Sequence, residues 1–128
     1  MKKVIVALAL ALFASGAYAG DFPDISIGEL KDAINARKVA VIDVNGRDTW
    51  TQGHIPGAIE FGASKGNLAA LLPKNKDALV VAYCGGPSCG AYAAAAKAAK
   101  ALGYTNVKHL VAGISGWKQA GEKMEKGE

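Results

Sequence analysis

Past residue 25 the chain alternates between two hydrophobic rhythms. Ile27, Leu30 and Ile34 recur three and four positions apart, a spacing that places them on one face of a helix. Ser26, with Glu29 three positions on, supplies a capping box for its start, and the pattern predicts a helix as far as Ala36. Val39 to Val44 is a short apolar run rich in β-branched residues, interrupted by Asp43, and predicts a strand. Arg47 to Gln52 fits a brief helical turn. Pro56-Gly57 is a turn signal, followed by a short strand near Ala58 to Phe61. Leu68, Leu71 and Leu72 mark a second helix, which stops at Pro73. Leu79 to Tyr83 is another continuous apolar strand. Ala91 to Leu102 is a strong helix former, with Lys97 and Lys100 on its wet face and Gly103 placed to cap its end. Val107 to Val111 predicts a last strand, and Trp117 falls in a short terminal helix. The charged tail from Glu122 is expected to fray. Strands that are apolar on both faces and alternate with helices predict an α/β domain whose parallel sheet is covered on two sides.

The first twenty residues follow another grammar. Lys2 and Lys3 give a positive start, Val4 to Ala14 is an unbroken apolar run of 11 residues, and Ala17-Tyr18-Ala19 offers small residues where a signal peptidase reads. This is the three-part pattern of a secretory signal. The run is too short for a spanning helix, which needs about 20 apolar residues. Residues 1–19 therefore read as a cleaved signal peptide and residues 20–128 as one domain, exported to a bacterial periplasm. Contact with a membrane is expected only through the transient signal segment.

Composition narrows the class further. Of 128 residues, 51% are hydrophobic and 20% charged, which excludes a disordered chain. The formal charge is +4. Without Lys2 and Lys3, thirteen basic residues stand against eleven acidic ones, or +2. That balance, with no cluster of Lys or Arg, predicts no nucleic-acid partner. Two cysteines are too few for a disulfide scaffold, but an oxidising compartment permits a bridge between them.

The chemistry gathers in Tyr83-Cys84-Gly85-Gly86-Pro87-Ser88-Cys89-Gly90. A buried strand ends at Cys84, a glycine-rich loop follows, and a helix begins. Ligands of open α/β sheets bind beyond the carboxyl ends of the strands. Loop amides and the helix start favour negative charge at that point, so a cysteine there is expected to be partly thiolate, the nucleophilic form. The glycines let backbone N–H groups approach closely, and Pro87 stiffens the loop. The competing reading is a buried structural cysteine, or a structural Cys84–Cys89 disulfide. That bridge closes only six residues, worth about 2 kcal/mol in the chain-entropy model, so it is a poorly placed staple. Pattern alone leaves the catalytic and structural readings about even. A zinc site drawing on Cys84, Cys89, His54 and His109 is a third reading, weakened because the histidines lie 55 positions apart, far beyond the usual ligand spacing.

Four blocks in order carry a resemblance to a known family: Asp43-Val44, Gly53-His54-Ile55-Pro56-Gly57-Ala58, the strand ending at Cys84, and Gly113-Ile114-Ser115-Gly116-Trp117. Together they resemble a single-domain rhodanese over about Ile25 to Gly121, with a two-cysteine active-site loop. The resemblance implies a rhodanese-like α/β fold, a five-stranded, mostly parallel sheet flanked by helices on both faces. It also implies a sulfurtransferase whose Cys84 carries a persulfide. The chain departs from the family in reading Asn45 where Asp-Val-Arg is common, which implies repacking there, with Arg47 as a partial substitute. The loop carries Pro87 where Gly is common and Cys89 where Arg or a small polar residue is common. It therefore lacks the cation that would favour thiosulfate, a dianion. Related phosphatases carry Arg six residues after the cysteine. That position is Gly90 here, which argues against phosphate-ester or arsenate chemistry.

The resulting expectation is nucleophilic catalysis in two steps. Cys84 thiolate takes a sulfane sulfur from thiosulfate or polysulfide and passes it to a thiophilic acceptor, a thiol or cyanide. Backbone N–H groups of Gly85, Gly86, Ser88, Cys89 and Gly90 would stabilise the anionic sulfur, with Arg47 helping to bind an anionic substrate. No metal or organic cofactor is implied. His54 resembles a structural turn residue, and Asp43 is expected to bond loop amides, since a carboxylate beside a thiolate would raise its pKa. Trp50 and Trp117 read as apolar anchors, and Tyr83 fits either pocket or core. Two other readings stay open: a thiol–disulfide redox protein using Cys84 and Cys89, and a non-catalytic persulfide carrier.

Overall fold

The computed structural model describes residues 22–127, so the leader-like segment 1–19 lies outside them. The elements run α1 (Ile27–Asn35), β1 (Val39–Asp43), α2 (Arg47–Gln52), β2 (Ile59–Glu60), α3 (Phe61–Ser64), a 3-10 turn (Lys65–Asn67), α4 (Leu68–Leu71), β3 (Leu79–Tyr83), α5 (Tyr92–Ala101), β4 (Asn106–His109) and α6 (Gly113–Gln119). The strands form one parallel sheet in the order β2-β1-β3-β4. β1 and β3 pair in register from Val39–Leu79 to Asp43–Tyr83, which brings Asp43 and Tyr83 level at the carboxyl edge.

The α/β architecture with helices on both faces is as expected, but among the described residues the sheet has four strands rather than five. The segment beside β4 makes only a single parallel bridge, Asp24 to His109. Ile25 N donates to His109 O and His109 N donates to Pro23 O. Pro23 has no N–H to extend the ladder, and Ser26 then caps α1 with both halves of its capping box present.

Side chains alternate across each strand, so Val80, Ala82 and Cys84 face one core while Val81 and Tyr83 face the other. The first core packs Ile42, Leu68, Leu72, Tyr92 and Tyr104 around them, with Ala95, Ala96 and Ala99 fully buried. These small side chains let α5 lie close on the sheet. The second core holds Leu30, Val41, Ile55, Leu110, Ile114 and Trp117, placing α1 and α6 on the opposite face.

Several element boundaries shift for local reasons. β2 is cut to two residues because the Glu60 carboxylate accepts from the Gly62 and Ala63 amides and starts α3. The helix expected around Leu68 is accordingly preceded by a short helix and a 3-10 turn. β4 ends at His109, and the Val111 amide turns to the Asp24 carboxylate. The tail is tied down rather than frayed. His54 and Glu125 exchange both backbone hydrogen bonds, Gly127 N donates to Thr51 O, and Gly57 N donates to the Glu125 side chain. Among the described residues, no helix is long and apolar enough to cross a membrane.

Candidate active site

Cys84 follows the last residue of β3 and is buried. Its loop is held from beneath by α6. Ile114 N donates to Cys84 O at 2.9 Å, and Ser115 N donates to Gly85 O at 3.0 Å. A trans peptide sets N–H opposite C=O. With those two carbonyls drawn toward α6, the N–H groups of Gly85 and Gly86 turn to the other side, the face on which Cys84 packs. Close approach makes this possible. Gly113 has φ +65°, and a Cβ there would lie 2.6 Å from both Gly85 C and Gly86 N. The Gly113-Ile114-Ser115 stretch was visible in the sequence only as part of a family motif. Its physical task, clamping the loop backbone, depends on a packing distance that no local pattern encodes.

Past Gly86 the chain reverses. Cys89 N donates to Gly86 O at 3.1 Å, closing a turn with Pro87 at its second position, where a fixed φ is favourable. The reversal carries Cys89 back to Cys84. The two form a disulfide with a Cα–Cα distance of 6.3 Å, within the usual bridging range. Cys89 is half-buried, while Cys84 is almost fully enclosed. The expected cradle of five amides therefore needs one correction. The Cys89 N–H is spent on Gly86 O. The amides of Gly85, Gly86, Ser88 and Gly90 have no acceptor among the described residues, and those of Ser88 and Gly90 stand on exposed backbone.

Asp43 and Tyr83 lie across the sheet from the cysteine pair. The Tyr83 hydroxyl donates to Asp43 Oδ2 and accepts from Ile55 N, so Tyr83 belongs to the core and not to a pocket wall. Asp43 also accepts from Asn45 N at 2.7 Å. It thus bonds its own turn and Tyr83 rather than the 85–90 loop. Burial raises the Asp43 carboxyl above its ordinary value, opposed by these hydrogen bonds. Burial, then the Asp43 charge, raises the Tyr83 phenol. Asn45, the position where the chain departs from the family's Asp-Val-Arg, has its side chain beside Gly85, and its buried Nδ2 has no partner among the described residues.

Arg47 is exposed at the start of α2. It lines a groove with Trp50, His54, Glu60 and Glu125 whose wall includes no residue of the 84–90 loop. His54 stacks on Trp50 with ring centroids 4.1 Å apart, and its Nδ1 lies 2.7 Å from Trp50 O, which fits a structural turn histidine. Trp50 Nε1 donates to Ala58 O and Trp117 Nε1 to Lys123 O, so both indoles anchor packing. The four ligands of the zinc reading are not brought together. His54 precedes β2 and His109 ends β4, on opposite edges of the sheet. No metal-binding cluster of His, Cys, Asp or Glu occurs among the described residues.

Comparison with known proteins gives this geometry a context. Residues 26–120 match the family described as Rhodanese-like domain. The chain is 36% identical over 103 residues to the uncharacterized protein YibN of Escherichia coli, covering 78% of this chain and 68% of that one. It is 34% identical over 104 residues to an HTH-type transcriptional regulator of Mycobacterium tuberculosis, covering 80% of this chain and spanning only 45% of the regulator. Among solved structures it is similar to a thiosulfate sulfurtransferase from Pseudomonas aeruginosa, with TM-score 0.65 and 25% identity. That match covers 84% of this chain and 21% of the other.

Proposed function

This chain belongs to the rhodanese-like domain family, and from that premise we propose that it is a sulfurtransferase whose reduced Cys84 carries sulfane sulfur as a persulfide. The observation that carries the reading is the clamped loop. Ile114 and Ser115 hold the carbonyls of Cys84 and Gly85, so that N–H groups of Gly85 and Gly86 face the side of the sulfur. Fixed amide dipoles aimed at a developing anion stabilise it without reorganisation. Cys84 thiolate attacks the outer sulfur of thiosulfate or a polysulfide. Sulfite or the shortened polysulfide leaves, and a persulfide anion remains on Cys84. An acceptor, thiol or cyanide, then takes the outer sulfur. Thiosulfate enters as the class named for the Pseudomonas aeruginosa neighbour. Since the bridge engages Cys84, reduction precedes the first turnover.

The reading extends to export. The leader-like residues 1–19 support it, and a periplasmic setting would allow the bridge to persist. The mass of the mature N-terminus recovered from expressing cells tests this, with Gly20 as the expected first residue.

The transferase is tested by incubating fully reduced protein with thiosulfate or polysulfide and cyanide. Thiocyanate is expected from Cys89→Ser, in which no bridge can engage Cys84, and not from Cys84→Ser. No thiocyanate from either donor would overturn the reading. The Cys84–Cys89 bridge favours a second reading, a thiol–disulfide redox protein. That chemistry needs both thiols, so Cys89→Ser would abolish it while leaving a route to thiocyanate open.

A further inference from the structure

The loop brings a second sulfur to the one that would carry the persulfide. The turn Gly86-Pro87-Ser88-Cys89, closed by Cys89 N on Gly86 O, returns Cys89 to bonding distance of Cys84, with Cα atoms 6.3 Å apart. The backbone on the Cys84 side is clamped by Ile114 and Ser115, and Pro87 restricts the turn itself. The geometry that makes the bridge is thus built into the loop. A bridge closing six residues is worth only about 2 kcal/mol to the fold, so stability alone gives little reason for it.

We propose that Cys89 is the built-in acceptor of the sulfur cycle: it resolves the Cys84 persulfide, releasing sulfide and leaving the Cys84–Cys89 disulfide. The proposal rests on the sulfurtransferase reading and adds the fate of the sulfur. In the first step the Cys84 thiolate forms a bond to the outer sulfur of thiosulfate, and the sulfur–sulfur bond of the donor breaks to release sulfite. In the second, the Cys89 thiol gives up its proton and its sulfur attacks Cys84 Sγ. The Cys84–Cys89 bond forms, the bond to the outer sulfur breaks, and that sulfur leaves with the proton as hydrosulfide. The sulfane sulfur gains two electrons, and the two cysteine thiols supply them. An external dithiol resets the pair by exchange, leaving as its own disulfide. Access decides which sulfur it attacks. Cys89 is half-buried and Cys84 almost fully enclosed, so the incoming thiolate attacks Cys89 and Cys84 departs as the free nucleophile. The net reaction is reductive release of sulfide from a sulfane-sulfur donor, paid in thiol electrons.

The test is a single turnover. Wild type and Cys89→Ser are fully reduced, freed of reductant without air, and mixed with thiosulfate alone. Sulfite reports the transfer step, sulfide the resolving step, and mass after thiol trapping the state of each cysteine. The wild type is expected to release sulfite and sulfide in equal amounts, each stoichiometric with protein, and to end bridged. Cys89→Ser is expected to release sulfite, retain the persulfide and yield no sulfide above the protein-free blank. Wild type that releases sulfite but keeps a stable persulfide, or releases sulfide with both thiols still trappable, would overturn the proposal and leave the transferase standing. No sulfite from either protein, together with no sulfur gained by Cys89→Ser from polysulfide, would overturn both. The wild-type arm decides the matter even if the variant folds poorly.

Discussion

Gly113 lies so close beneath Gly85 that a methyl group placed on it would come within 2.6 Å of the Gly85 carbonyl carbon. This contact between α6 and the loop sets the direction of the loop peptides, and two features tie it to glycine. The φ of +65° is in the left-handed region, which costs a side-chain-bearing residue about 1–3 kcal/mol. The neighbouring atoms are backbone, which cannot swing aside. Gly113→Ala is therefore expected to lose about 2 kcal/mol or more and to displace the Cys84 and Gly85 carbonyls from Ile114 and Ser115. Denaturant unfolding and, in a Cys89→Ser background, the thiocyanate rate per folded molecule check both parts. Unaltered activity in the folded fraction would show that the clamp does not set the cradle. Gly86→Ala is the contrast, since its Cβ would meet only Ser115 Cβ at 3.9 Å and stability should change little.

Tyr83→Phe tests the buried pair across the sheet. Removing the hydroxyl strips Asp43 Oδ2 and Ile55 N of a partner, and each buried group left unsatisfied costs about 1–3 kcal/mol. The change also acts through pH. Burial raises the Asp43 carboxyl and the Tyr83 hydrogen bond lowers it. A raised acid binds its proton more tightly folded than unfolded, so stability is full below the unfolded value of about 3.9 and declines as pH rises through the folded value. Without the hydroxyl the folded value rises further, and the decline extends to higher pH. Unfolding midpoints across pH check the shift. An unchanged profile would mean that Tyr83 does not stabilise the carboxylate.

His109 gives the opposite sign. Its ring stacks on Tyr92 with centroids 3.4 Å apart, its Nε2 is buried without a partner among the described residues, and burial lowers its pKa against the opposing charge of Asp24. The folded state then binds the proton less well, so stability falls as pH drops below the unfolded value of about 6.5. His109→Phe keeps the stack and removes the titration. It is expected to match or exceed wild-type stability at neutral pH and to lose this acid sensitivity. A steeper acid decline in the variant would contradict the assignment.

The parts of the fold written in short-range pattern were readable from the sequence. The Ser26–Glu29 capping box, the spacing of Ile27, Leu30 and Ile34, and the apolar runs at β1 and β3 follow from local periodicity. The parts that depend on distant partners were not. The charged tail looked free because its pairing with His54, seventy-one positions earlier, leaves no local trace. Phe61 read as the end of a strand because the capping action of Glu60 competes with β pairing only once both are built. The fifth strand came from resemblance alone, and Pro23 explains why it remains a single bridge. At the site, strand end, glycines and helix start marked Cys84. The roles of Asn45 and Gly113 became visible only when the elements packed, and Arg47 proved to face a different groove.

The most direct test of the central claim is the intact mass of the reduced Cys89→Ser chain before and after thiosulfate or polysulfide, and again after cyanide. The account predicts a gain of one sulfur atom, mapped by peptide analysis to Cys84 and removed by cyanide. No gain from either donor, or a sulfur located elsewhere in the chain, would contradict it.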